Sequence, residues 1–137
     1  MAFTLHPRLA ADTAVIADWP LSRVLLMNDK RYPWLVLVPR RPDLSDITDL
    51  DEAARASLMG EIGRVSVKLK AWVIGHGGYT RINVGMIGNI VPQLHIHVVA
   101  RVKGDPAWPG VVWGAGQSVP YGAGELSNLV AEFRAFL

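Results

Sequence analysis

Two histidines and a glutamine alternate with apolar residues in Gln93-Leu94-His95-Ile96-His97-Val98-Val99. Alternation is the period of a β-strand, so Gln93, His95 and His97 are expected on one face and Leu94, Ile96 and Val98 on the other. The chain has only four histidines, and two of them fall here. A neutral imidazole on a rigid strand can act as nucleophile, general base or metal ligand. The metal reading needs at least a third ligand, which would be His6, His76 or a distant carboxylate, and the spacing positions none of them. The plainest alternative is a strand edge with two exposed histidines.

The stretch just upstream favours phosphoryl chemistry. Gly88-Asn89-Ile90-Val91 leads into the strand. Backbone N–H groups in a glycine turn can cradle phosphate oxygens, and Asn89 adds a side-chain amide. An imidazole attacking phosphorus needs the correct tautomer, donors for the equatorial oxygens and a proton source for the leaving group. Two histidines one step apart on a face divide that work: one attacks and the other contacts the phosphate.

These residues must be held by a scaffold, and the rest of the chain describes one. Residues 3–12 predict an irregular lead-in with one helical turn after Pro7. Thr13–Trp19 and Leu21–Met27 read as strands separated by Pro20, and Asn28-Asp29-Lys30-Arg31 as a turn. Trp34–Val38 is an apolar run suited to a central strand buried on both faces. Together these predict an antiparallel meander. Leu50, Ala54, Leu58, Ile62, Val65, Leu69 and Val73 then recur at steps of three and four. That pattern predicts a helix of about 24 residues capped by Thr48 or Asp49, with Arg55, Glu61, Arg64 and Lys68 off its apolar face. Gly75-His76-Gly77-Gly78 stops it, and His76 is expected to be an exposed loop or cap residue.

Tyr79–Val84 predicts a strand antiparallel to the histidine strand. Trp108 and Trp113 lie in a segment rich in proline and glycine, and large aromatics in a rigid loop cover a pocket, a core edge or a partner. Glu125–Leu137 predicts an amphipathic helix with Leu126, Leu129, Val130, Phe133 and Leu137 on one face.

Composition narrows the function class. The 137 residues are expected to form one domain, residues 1–137, large enough for a sizeable core. The formal net charge is only +2 and the basic residues are scattered, so no nucleic-acid stripe is expected. With no cysteine, disulfides, thiolate catalysis and cysteine-ligated zinc are excluded. No signal-peptide-like run and no membrane-spanning stretch is evident, so the expectation is a cytoplasmic protein without membrane partners.

The segment Gly88-Asn89-Ile90-Val91-Pro92-Gln93-Leu94-His95-Ile96-His97-Val98-Val99-Ala100-Arg101 resembles the histidine triad (HIT) motif, His-φ-His-φ-His-φ-φ with φ hydrophobic, with Gln93 at the first His. Leu25–Asp29, Trp34–Pro39, the long helix and Arg81–Gly85 follow in the family's order, so the resemblance covers roughly residues 20 to 103. It implies an α+β fold: an antiparallel sheet of about five strands, one long central helix and a C-terminal helix. It implies a homodimer, with the Trp108–Trp113 loop and the last helix at the interface or over the site.

Carried over by position, the resemblance makes His95 the nucleophile that forms a covalent nucleotidyl-histidine. His97 becomes the phosphate contact. Gln93 completes the catalytic set through its carbonyl, which would orient His95. Gly88, Asn89, Ile90 (by its backbone N–H alone, where relatives have Ser or Thr) and Asn83 fall near the phosphates. Asn28 or Asp29 falls at the ribose. Trp34 stands where some relatives carry a further His, which thins the polar network. The implied activity is hydrolysis or nucleotidyl transfer at an α-phosphate, as in phosphoramidases or dinucleoside polyphosphate hydrolases, with no cofactor. A galactose-1-phosphate uridylyltransferase branch also replaces one outer His by Gln, though the last one, which keeps transferase chemistry open. The alternatives are a nucleotide-binding module with little catalysis and a His-ligated metal protein.

Overall fold

Trp34–Pro39 is buried along its whole length, as a strand flanked by neighbours and covered on both faces must be. It is the central strand, β3, of a five-stranded antiparallel sheet in the computed structural model, which describes residues 2–137. The elements run in order: α1 (Pro7–Asp12), β1 (Thr13–Asp18), β2 (Ser22–Met27), β3, a 3-10 turn at Ile47–Asp49, α2 (Glu52–Gly75), β4 (Arg81–Gly85), β5 (Ile96–Arg101) and α3 (Ala123–Phe136). The sheet order is β1-β2-β3-β5-β4. β1 to β3 form the expected meander, and β4 and β5 are antiparallel neighbours as expected. The fold is the α+β arrangement that the motif's resemblance implied.

The sheet separates two apolar layers. On one side, Leu58, Ile62, Val65 and Leu69 of α2 and Phe133 of α3 pack on Val24, Leu26, Leu35, Leu37, Ile96 and Val98. On the other, Leu25, Trp34, Val36, Val38 and Val99 meet Leu9 of α1 and Val112 from the segment before α3. The first layer is the main core. The second forms the floor of the site.

Two expectations about α2 are corrected. Its N-cap is Asp51, whose carboxylate accepts from the Ala54 N–H, while Asp46 and Asp49 close a capping box on the preceding 3-10 turn. Glu61 is not on a solvent face. It is buried, and its two carboxylate oxygens accept the Leu21 and Ser22 N–H groups at 3.0 and 2.9 Å. Those are turn donors between β1 and β2 that the ladder leaves unpaired, and a carboxylate satisfies two at once.

β5 also begins later than its alternation predicts. Residues 93–95 precede it, because the Leu94 N–H bonds the Leu44 carbonyl rather than a sheet neighbour. The inside-outside alternation survives: Leu94, Ile96 and Val98 enter the main core, while His95 and His97 are excluded from it.

Candidate active site

β5 projects His97 into the floor layer, and the residues just before it deliver His95 beside it. The two rings lie 4.9 Å apart between centroids at 83°. Both are buried, at 5% and 8% exposure, yet both line one open cavity of about 740 Å³. That volume suits a nucleotide-sized ligand.

Hydrogen bonding fixes the tautomer of each ring. His95 Nδ1 lies 2.7 Å from the Gln93 carbonyl oxygen. A carbonyl only accepts, so Nδ1 carries the proton and Nε2 keeps its lone pair. His97 Nδ1 lies 3.0 Å from the indole nitrogen of Trp34. An indole N–H only donates, so here Nδ1 is the acceptor and Nε2 carries the proton. The adjacent imidazoles thus hold opposite tautomers, with a lone pair at His95 Nε2 and an N–H at His97 Nε2. Burial first, and then the neighbouring His95, pull the pKa of His97 from 6.5 down to about 4. His97 is therefore neutral at physiological pH.

Trp34 overturns the expectation that it thins the polar network. It restores a hydrogen bond to His97, now from a donor that cannot accept. Trp113 lies against the other side of the ring, its centroid 5.5 Å from that of His97 at 29°. Gly85, paired with His97 across the β4–β5 ladder, makes room for it. A Cβ at Gly85 would sit 2.6 Å from Trp113 Cζ2. The aromatic loop thus divides its work. Trp113 covers the site, and Trp108 stacks near the Arg101 guanidinium, 5.7 Å from its ring centroid.

The structure brings Asn28, Asp29, Asn89 and Ile90 to the same cavity as the two histidines. Asn28 Oδ1 already accepts from the Tyr121 N–H. The Asp29 carboxylate is buried and held below the usual carboxylate range: burial opposes ionisation, but Arg31 and the Arg31 and Val119 N–H groups outweigh it. Ile90 is 83% exposed, leaving its backbone the polar part at the cavity rim. Gly88 stands just behind, where a Cβ would press the Val91 carbonyl at 3.0 Å and approach His95 Cε1 at 3.8 Å. Asn83 is not brought to the cavity; its side-chain oxygen accepts from Arg101.

The Gln93 side chain also turns away. Its oxygen accepts from the His6 N–H at 2.7 Å and its amide donates to the Thr4 carbonyl at 2.9 Å. Only its main-chain carbonyl reaches the His95 ring.

Sequence reasoning missed Arg8 and Asp12 of α1, Arg31, and residues 114–116, which also line the cavity. Arg31 bonds Asp29 and the Ala115 carbonyl, tying the turn after β2 to the segment before α3 (residues 112–121). No local motif announces a contact across 84 residues. The other two histidines lie elsewhere: His6 caps α1, and His76 ends α2 beside Trp72. Among the described residues, no three His, Asp or Glu side chains converge as a metal site.

A model of the HIT domain matches residues 8–104. Three crystal structures of histidine triad proteins superpose over nearly the whole chain. One from Bradyrhizobium japonicum is 48% identical, with a TM-score of 0.90 over 99% of this chain and 98% of that one. One from Sinorhizobium meliloti is 42% identical, with a TM-score of 0.89 over 98% and 97%. One from Marinobacter aquaeolei is 40% identical, with a TM-score of 0.87 over 100% and 97%. No functionally curated protein matches the chain.

Proposed function

This chain belongs to the histidine triad family, whose members generally bind nucleotides and act on nucleotide phosphates, and on that premise we propose that it hydrolyses or transfers a nucleotidyl group through a covalent nucleotidyl-His95 intermediate. The observation that carries the reading is the pair of opposed tautomers at one cavity, with His95 Nε2 unprotonated and His97 Nε2 protonated.

In the first step the Nε2 lone pair of His95 attacks the α-phosphorus. The bond to the leaving group breaks and its electron pair departs with that group. The Gln93 carbonyl holds the Nδ1 proton and stabilises the positive charge that develops on the ring. His97 Nε2–H donates to a phosphate oxygen, joined by Asn89 and the backbone N–H of Ile90. Asn28 and Asp29 serve the ribose side. In the second step water, or another acceptor, attacks the phosphorus. The P–N bond breaks, the electron pair returns to His95 Nε2, and the acceptor's proton is released. Residues 1–137 act as one domain in this account, since α1 and the strap before α3 both wall the cavity. A homodimer is the proposed assembly and the cytoplasm the proposed location; no helix among the described residues is long and apolar enough to cross a membrane.

The test is turnover of diadenosine triphosphate by wild type and by His95→Ala. Wild type should release a nucleoside monophosphate, and the variant should lose at least about 100-fold in kcat/KM, as expected for removal of a nucleophile. Equal turnover would remove His95 from the mechanism. Tight nucleotide binding by wild type without turnover would leave a binding module.

A further inference from the structure

Trp34 does more than fill the floor. An N–H that cannot accept now faces His97 Nδ1 at 3.0 Å, within a buried contact. Protonating Nδ1 would set two donors head to head and discard the hydrogen bond. Leaving buried donors unpaired forfeits their hydration with nothing in return. Stacking on Trp113 pulls the other way, since an imidazolium gains from an aromatic face, but it does not supply the acceptor that a protonated Nδ1 would need. Burial of the ring adds to the case against the cation. The other contacts do not reverse this: the His95 ring, its centroid 4.9 Å away, also disfavours a charge on His97. Val36 and Gly85, paired with His97 across the two ladders, carry no ionisable group. The charged residues lining the cavity are paired with each other, Arg8 with Asp12 and Arg31 with Asp29.

His97 can therefore donate a hydrogen bond through Nε2 but has no second proton to replace one given away. Surrendering the Nε2 proton would leave an imidazolate. That restriction bears on the leaving group. When a P–O bond of a phosphoanhydride breaks, the departing phosphate is stable as an anion and needs no proton. When a P–N bond breaks, the departing nitrogen must gain a proton from some donor.

Resting on the nucleotidyl-His95 reading, we infer that Trp34 is a specificity-determining positioning residue: by holding His97 as a neutral Nε2–H donor it directs this enzyme to nucleotidyl anhydrides, whose leaving groups depart as anions, and against phosphoramidates of basic amines.

The test compares kcat/KM for diadenosine triphosphate with that for an N-alkyl phosphoramidate of AMP, in wild type and in Trp34→Phe, across pH. Using a ratio between proteins cancels the intrinsic reactivity of the two substrates. In Trp34→Phe the Nδ1 of His97 is free to take a proton. The anhydride-to-phosphoramidate ratio should fall by about tenfold or more, the low end of what a general acid supplies. The fall should grow toward acid pH, a new limb that a merely structural role for the indole would not create. A ratio and pH profile unchanged by the substitution overturn the inference.

A second arm needs no variant. Nitrogen-15 NMR of the wild-type histidines should show His97 as the Nε2–H tautomer, remaining neutral at pH 6. A protonated Nδ1 there overturns the inference by itself. Loss of both activities in wild type would instead overturn the nucleotidyl-His95 reading, while the NMR result still decides whether Trp34 locks the ring.

Discussion

His97 shows most directly how one contact sets chemistry. Its pKa is depressed from 6.5 to about 4 by burial and by His95. The unfolded chain therefore binds a proton in this window that the native chain refuses. The stability from the neutral ring is fully present above pH 6.5 and is lost as pH falls toward 4. Urea unfolding followed between pH 7 and pH 4 should show that decline, and His97→Gln should flatten part of it. Gln93 poses a different question, because its side chain and carbonyl serve separate partners. Gln93→Ala removes the bonds to Thr4 and His6 but keeps the carbonyl on His95. It should cost roughly 1–2 kcal/mol in denaturant stability, while kcat falls far less than in His95→Ala. At this scale the two histidines, and the carbonyl that orients one of them, were legible from spacing and family resemblance. The direction of the Gln93 side chain was not, because it depends on where residues 4 and 6 fold back. Nor was the indole hydrogen bond, since an apolar run such as Trp34–Val38 reads as packing alone.

The elements were legible wherever periodicity was strong. The apolar stripe of α2 located the helix and its buried face, from Ala54 to Val73. Its start was misread because Asp46, Asp49 and Asp51 are all competent caps, and two of them serve a separate 3-10 turn. Glu61 was misread because a charged residue beside an apolar stripe normally faces water. Only the return of the β1–β2 turn, 40 residues away in sequence, gives it donors. Glu61→Gln replaces one acceptor oxygen with an N–H that meets a backbone N–H. The expected cost is about 1–3 kcal/mol, measurable by thermal unfolding. The Gly85–Trp113 contact belongs to this scale too. Gly85→Ala would drive Trp113 off His97, since a Cβ there has less than contact distance. Tryptophan fluorescence should shift toward that of an exposed indole, and KM for a nucleotide substrate should rise.

For the molecule as a whole, the sheet divides labour between its two faces. α2 and α3 supply the main core on one face, and α1 with the strap before α3 closes the site on the other. The strap is bound through Asn28, Asp29 and Arg31, so both ends of the chain wall a site whose histidines lie between them. The individual strands and helices could be read from strand, helix and turn signals, and their assembly into a five-stranded sheet from the family resemblance. The wrap of residues 112–121 could not, because it has no periodicity and the bonds that tie it to residues 28–31 are distant in sequence. β4 ends the sheet while α3 packs by β1, and a homodimer is the proposed assembly. Light scattering after size exclusion should give twice the chain mass of 15.0 kDa, and a monomer would contradict that assembly.

If His95 carries the nucleotidyl group, that group can be trapped on it. Wild-type protein mixed with diadenosine triphosphate, quenched in alkali within the first turnovers and mapped by mass spectrometry, should carry an adenylyl adduct on the peptide containing His95. The adduct should vanish with excess water-driven turnover and be absent in His95→Ala. Turnover without any adduct on His95, or an adduct on another residue, would rule out His95 as the nucleophile.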